Sequence, residues 1–250
     1  MNYSTVNTPK IGIQLYTVRD MTDDESFKDT LRALADLGFQ GVEFAWKYGG
    51  MNPGELAEFI RSLGLICCGM HLKLDELLDP GHLVYKYAEA VESPYVTTSL
   101  AGRVSEWDAL LPRVNEAGRI ASEKGFTFTY HNHHQEFDGP TGDNAFDRLA
   151  AETDPNYVKL ELDIGWVAKA GDDPMEVWKR YAERIPQIHL RDYDADSDQI
   201  CDIGEGFIDA ASVLEQARQA GTQWLIFEQD KYPVSPLESA RVCIEQIGGK

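Results

Sequence analysis

Leu34-Ala35-Asp36-Leu37-Gly38-Phe39 followed by Gln40-Gly41-Val42-Glu43-Phe44 is one helix end, one glycine stop and one short apolar strand in succession. A glycine just past a helix takes the left-handed conformation that closes it. The same unit recurs along the chain. Ile60-Arg61-Ser62-Leu63-Gly64 leads into Leu65-Ile66-Cys67-Cys68, Ser122-Glu123-Lys124-Gly125 into Phe126-Thr127-Phe128-Thr129-Tyr130, and Arg218-Gln219-Ala220-Gly221 into Trp224-Leu225-Ile226-Phe227. The helical stretches carry apolar stripes at helical spacing: Phe27, Leu31, Leu34 and Leu37; Leu56, Phe59, Ile60 and Leu63; Leu110, Val114, Ala117 and Ala121; Leu237, Ala240, Ile244 and Ile247. The strands are apolar almost throughout, as strands buried on both faces must be.

Extended outward, the pattern predicts strands at 10–16, 40–45, 65–71, 95–99, 126–131, 157–162, 185–190 and 222–227, alternating with helices. Eight such units in 250 residues predict a (β/α)8 barrel forming a single domain over residues 1–250. A doubly wound sheet is disfavoured because no glycine-rich phosphate loop follows the first strand.

Composition narrows the function classes. The 42 acidic and 23 basic residues give a net charge of −19, which repels nucleic acid and anionic membrane. No apolar run is long enough to span a bilayer, and Met1–Lys10 lacks the basic and apolar regions of a secretory signal, so a cytoplasmic protein is expected. Cys67, Cys68, Cys201 and Cys243 form no C-x-x-C pair and read as free thiols. A homo-oligomeric state is left open.

In such a barrel the active site is built at the C-terminal ends of the strands. Those ends hold Glu43, His71, His131-Asn132-His133-His134-Gln135-Glu136, Glu161-Leu162-Asp163, His189-Leu190-Arg191-Asp192 and Glu228-Gln229-Asp230. Five of the six histidines lie there; His82 falls in a predicted helix. Singly, each has a structural explanation. Asp173 before Pro174 and Ser235 before Pro236 read as helix caps, whereas Asp163 reads as a poor one because no helix is expected directly after it. Jointly, carboxylates converging on one mouth would repel unless a cation neutralised them. A mixed carboxylate and imidazole set with open positions suits one divalent ion, Mn, Mg, Co or Zn.

These fragments also carry a resemblance. Ile11-Gly12-Ile13-Gln14-Leu15-Tyr16-Thr17-Val18-Arg19, Gly41-Val42-Glu43, His71, Tyr130-His131-Asn132-His133 with Glu136-Phe137, Asp163-Ile164-Gly165-Trp166-Val167, His189-Leu190-Arg191-Asp192, Gly204-Glu205-Gly206 with Ile208-Asp209, and Glu228-Gln229-Asp230 occur in that order across nearly the whole chain. Together they resemble the xylose isomerase-like barrel superfamily, in its sugar-phosphate isomerase/epimerase branch. The resemblance implies a metal held by Glu, Asp, His and Glu, the last three falling on Asp163, His189 and Glu228. For the first, many relatives place a glutamate where His131 stands. Glu136 is then the implied fourth ligand, with His131 or His133 as its substitutes.

A divalent ion chelating a carbonyl and an adjacent hydroxyl acidifies the neighbouring C–H, so that a positioned base can remove the proton. Isomerase or epimerase chemistry on a keto-sugar, glycoside or inositol-type substrate follows. A lyase or dehydratase acting on keto-sugars or an inosose is the alternative, because the first step is shared. Glu136, Glu228 and His133 are the acid/base candidates; Glu43, His71, His131, Trp166, Arg191 and Glu205 are the substrate-binding candidates, with Trp46 and Tyr16 as further apolar walls. A phosphorylated substrate is disfavoured, since the loops where barrels bind phosphate hold Asp194, Asp196, Asp198, Asp202, Glu205 and Asp230 against Arg191 and Lys231. An abasic-site endonuclease, which needs a basic surface, and a non-catalytic sugar-binding barrel are the remaining classes.

Overall fold

A computed structural model of the chain describes residues 8–194, 197 and 199–248. The first seven residues, read above for a signal segment, and Asp196 and Asp198 of the acidic loop lie outside the described residues. The eight barrel strands are β1 (Lys10–Gln14), β2 (Gly41–Ala45), β3 (Ile66–His71), β4 (Tyr95–Thr98), β5 (Thr127–His131), β6 (Val158–Asp163), β7 (Gln187–Leu190) and β8 (Trp224–Phe227). They pair in parallel, each with its sequence neighbour, and β1 pairs with β8 to close the ring. The expected (β/α)8 barrel is therefore the fold.

The glycine stops explain the repeat. Gly38, Gly64, Gly125 and Gly221 all have positive φ, and each ends a helix or its final turn before the next strand. Phe27, Leu31 and Leu34 of helix Phe27–Leu37 are fully buried against the barrel, as are Val114, Ala117 and Ala121 of helix Trp107–Glu123. One continuous apolar cluster runs from Ile11 to Ile247.

Three local features depart from the sequence expectation, and all lie near the mouth. β1 stops at Gln14, whose side chain accepts from the Tyr16 amide and starts a 3-10 helix over Leu15–Met21. β6 runs one residue further than predicted and includes Asp163, with helix Ile164–Lys169 following at once. After β7 the chain makes a two-stranded ribbon, Asp192–Tyr193 against Ile200–Cys201. All four cysteines are free, and no helix among the described residues is long and apolar enough to cross a membrane.

Candidate metal centre

Side chains alternate across a strand, so residues two apart share a face. Glu161 and Asp163 therefore both face the barrel axis, and adjacent strands add His131 and His189; β5 pairs His131 with Glu161 and β6 pairs Asp163 with His189. Glu228, just past β8, completes the ring. One ligand atom from each of His131, Asp163, His189 and Glu228 can be chosen so that all four lie within 4.8 Å of one another, and all four residues are buried. Glu43, Glu161 and His189 form a second such group on the other edge of the same imidazole.

Hydrogen bonds fix this quartet in place. Asp163 Oδ1 accepts from the Trp166 amide at 3.0 Å and Oδ2 from Arg191 Nε at 3.0 Å. Asp163 is thus both a helix cap and a member of the quartet, contrary to the expectation from sequence. The helix can start this early because Gly165 sits against β7: a Cβ there would lie 2.3 Å from the Arg191 carbonyl. The Asn132 side chain exchanges two hydrogen bonds with the backbone of Asp163, at 3.2 and 3.0 Å, and ties the ends of β5 and β6 together. His189 Nδ1 lies 2.9 Å from Glu228 Oε2, and its Nε2 lies 2.7 Å from Glu43 Oε2.

Glu43 reaches the axis because of a bulge. The β2–β3 register slips between Val42 and Glu43, placing Glu43 opposite Gly69 instead of Cys68. A Cβ on Gly69 would lie 3.0 Å from Glu43 Oε1, so the glycine makes the space the carboxylate fills.

Electrostatics follow from burying Glu43, Glu161, Asp163 and Glu228 with few cations. Burial alone would favour a neutral His189, but Glu161 and Glu43 overcome it and raise its pKa well above the ordinary value. Burial would raise Glu228, yet Arg191 and His189 hold it well below the usual carboxylate range. Burial, reinforced by Glu43, pushes Glu161 up to about 8. Burial also raises Asp163, opposed by Arg191. The other mouth imidazoles are kept neutral by burial: His131 falls well below its ordinary pKa, His133 falls to about 4, and His71 is lowered.

The donor set fits a divalent ion. Two imidazoles and two carboxylates, buried and mutually close, are the ligand chemistry such an ion takes, and in the protein alone a proton on His189 and the Arg191 guanidinium supply the positive charge. Beside the quartet, His131 Nδ1 and Glu161 Oε2 are buried without a hydrogen bond and meet only each other, at 3.5 Å, so the protein groups alone leave this polar cluster incompletely satisfied.

The structure brings Asp163, His189 and Glu228 together and puts His131, expected to bind substrate, beside them. Glu136, expected as the fourth ligand, is placed elsewhere. Its Oε1 takes the Tyr130 hydroxyl of β5 at 2.7 Å and its Oε2 the His133 amide at 3.0 Å, so one oxygen is tied to the strand and the other caps the turn His134–Phe137. Glu43 is buried behind His189 and does not line the mouth. Arg191, expected to bind substrate, is buried and engaged by Asp163, Glu228 and Asp230. His133 lies beside Trp166, with ring centroids 5.3 Å apart, and its Nδ1 is 3.1 Å from Ser99 Oγ. His71 stacks beneath Trp46 at 5.8 Å. Glu205 is exposed on the loop after the ribbon. The residues missed from sequence are Glu161 and Asn132. Two-residue spacing from Asp163 was the available signal for Glu161; nothing local marks Asn132 as a bridge.

The profile of the family described as xylose isomerase-like TIM barrel matches residues 31–245. A protein named inosose dehydratase from Lacticaseibacillus casei is 30% identical over 238 residues, covering 84% of this chain and 77% of that protein. A solved sugar phosphate isomerase/epimerase from Parabacteroides distasonis superposes with a TM-score of 0.77 at 18% identity, covering 95% of this chain and 96% of that one. The IOLI protein, solved with a bound zinc atom, superposes with a TM-score of 0.72 at 14% identity over 96% of this chain and 98% of that one.

Proposed function

The chain belongs to the xylose isomerase-like TIM-barrel family, and on that premise we propose that it is a divalent-metal-dependent lyase that eliminates water from a polyhydroxylated ketone, a keto-sugar or an inosose. The buried quartet His131, Asp163, His189 and Glu228 carries this reading. The quartet would hold the ion, with His131 in the place for which Glu136 was expected. A zinc atom is bound in the IOLI protein, which shares the fold. When bound, the ion supplies Lewis acidity toward a substrate carbonyl and its neighbouring hydroxyl.

Elimination needs two proton transfers: a base takes the proton α to the carbonyl, and an acid gives one to the departing hydroxyl. The C–H electron pair becomes the new C=C bond as the β C–O bond breaks, and water leaves. Two neutral imidazoles outside the quartet flank it, with His71 at 5.2 Å and His133 at 5.0 Å from the His131 ring. Ser99 holds His133 through Nδ1, so its Nε2 is the nitrogen available for proton transfer. His71 Nε2 is buried with no protein partner, which suits a substrate hydroxyl. A neutral imidazole that takes the α proton becomes the imidazolium that can return it to the departing hydroxyl, so His133 or His71 could serve both transfers.

Isomerisation or epimerisation begins with the same proton abstraction. Elimination is preferred because the relative from Lacticaseibacillus casei is named a dehydratase. The net charge of −19 speaks against a nucleic-acid substrate. The test is to incubate metal-loaded protein with an inosose and with keto-sugars in D2O. The expected result is an α,β-unsaturated ketone together with deuterium α to the carbonyl of residual substrate. Exchange accompanied only by an isomer or epimer would overturn the dehydratase assignment, and neither product nor exchange with any of them would sink both.

A further inference from the structure

One carboxylate lies behind both imidazoles of the quartet. Glu161 is fully buried on β6, two residues before Asp163, so it faces the barrel axis one layer beneath the quartet. Branched apolar side chains ordinarily fill that part of a (β/α)8 barrel. Here Glu161 shares it with Glu43, Gln187 and the hydrogen-bonded pair Thr97 and Thr129, all fully buried. A carboxylate taken out of water in this way is costly unless other groups engage it.

The two oxygens of Glu161 serve different rings. Oε1 takes a hydrogen bond from the Gln187 side-chain amide and lies 3.2 Å from His189 Nε2, while Oε2 lies 3.5 Å from His131 Nδ1. The opposite nitrogens of the same rings converge on one oxygen of Glu228, with His189 Nδ1 at 2.9 Å and His131 Nε2 at 3.8 Å from Oε2. The two rings, with centroids 4.6 Å apart, therefore stand between Glu161 behind and Glu228 in front. Glu43 backs His189, whereas Glu161 backs both rings.

An imidazole binds a metal ion through one nitrogen, and the hydrogen bond made by the other decides which. An ionised carboxylate only accepts, and the charge of a nearby ion favours the ionised form. The ring nitrogens that face Glu161 are then the ones that keep a proton. His131 Nε2 and His189 Nδ1, the pair that faces Glu228, are left for the ion.

We propose that Glu161 is a positioning residue of the metal centre, one carboxylate that fixes the nitrogen which both His131 and His189 turn toward the ion, with Gln187 holding its Oε1. The inference rests on the reading of the quartet as a metal site. Its test is zinc binding to the whole protein, read by competition with a chromogenic chelator and by proton–nitrogen correlation spectra of the histidine rings. In the zinc-loaded parent, His131 is expected to carry its proton on Nδ1 and His189 on Nε2. Glu161→Gln keeps the shape and removes the charge; it is expected to weaken zinc binding about tenfold to a hundredfold and to shift the ring signals of both histidines. Glu43→Ala is expected to shift those of His189 and leave the His131 tautomer as it was. Unchanged zinc affinity in Glu161→Gln overturns the inference. So does a parent in which His131 binds zinc through Nδ1 or His189 through Nε2, a result that needs no variant to fold. A parent that takes up no zinc overturns the quartet itself, and the elimination chemistry is judged by deuterium exchange, so the three readings fail on different measurements.

Discussion

Nε2 of His189 lies 2.7 Å from Oε2 of Glu43, although the two come from strands on different sides of the barrel and are 146 residues apart. A carboxylate behind a metal-facing imidazole fixes the ring orientation and the nitrogen left for the ion. Here that leaves Nδ1 toward Glu228 and the quartet.

Glu43→Ala is therefore expected to weaken zinc binding by about tenfold to a hundredfold without removing any quartet residue. Competition titration with a chromogenic chelator measures this. Unchanged affinity would show that Glu43 does not orient His189.

His131→Ala is expected to lower metal stoichiometry or affinity, whereas Glu136→Gln keeps one ion per chain. Elemental analysis of both purified variants decides between the two as the strand-five ligand. The opposite pattern would return Glu136 to the centre.

Asp163→Ala and His189→Ala are each expected to lose the ion while the barrel stays folded. Asp163→Ala also removes a helix cap and costs about 1 kcal/mol beyond the lost ion. Metal retained at full stoichiometry in both variants would remove them from the ligand set.

The apoprotein should lose stability as pH rises from just above the ordinary histidine range toward and beyond 8. In the folded state Glu161 is pushed up to about 8 by burial and Glu43, and His189 is raised well above its ordinary value, because Glu161 and Glu43 override burial. Across this window the native chain binds more protons than the unfolded one, so stability falls with pH. Glu228, held well below the usual carboxylate range, and His71, His131 and His133, each lowered by burial, work in the other direction only below this window. Zinc held by His189 would displace its proton, so thermal melts of the loaded protein should show a flatter profile. An apoprotein melting temperature that climbs through this window would contradict the arrangement of charges.

Gly165→Ala is expected to destabilise the fold by about 3 kcal/mol, because a Cβ would meet the Arg191 carbonyl at 2.3 Å where both helix and strand are packed. Denaturant titration measures it; a neutral change would mean that helix Ile164–Lys169 can shift away.

The helix–glycine–strand repeat alone determined the barrel, because apolar period and left-handed glycine stops are local properties that each unit carries. It also placed Asp163, His189 and Glu228 at the mouth, since strand ends in this fold converge there. Tertiary structure decided the rest. His131 joined the quartet and Glu136 did not, because the Tyr130 hydroxyl and the His133 amide took one oxygen of Glu136 each. Glu43 moved from the mouth to the back of His189, because a bulge and the space at Gly69 let it reach the axis. Asp163 became a cap, because Gly165 allowed a helix to start against β7. In each case the partner lies on another strand or across a turn, and pairings across a barrel are set by register and close packing, which no local pattern of residues records.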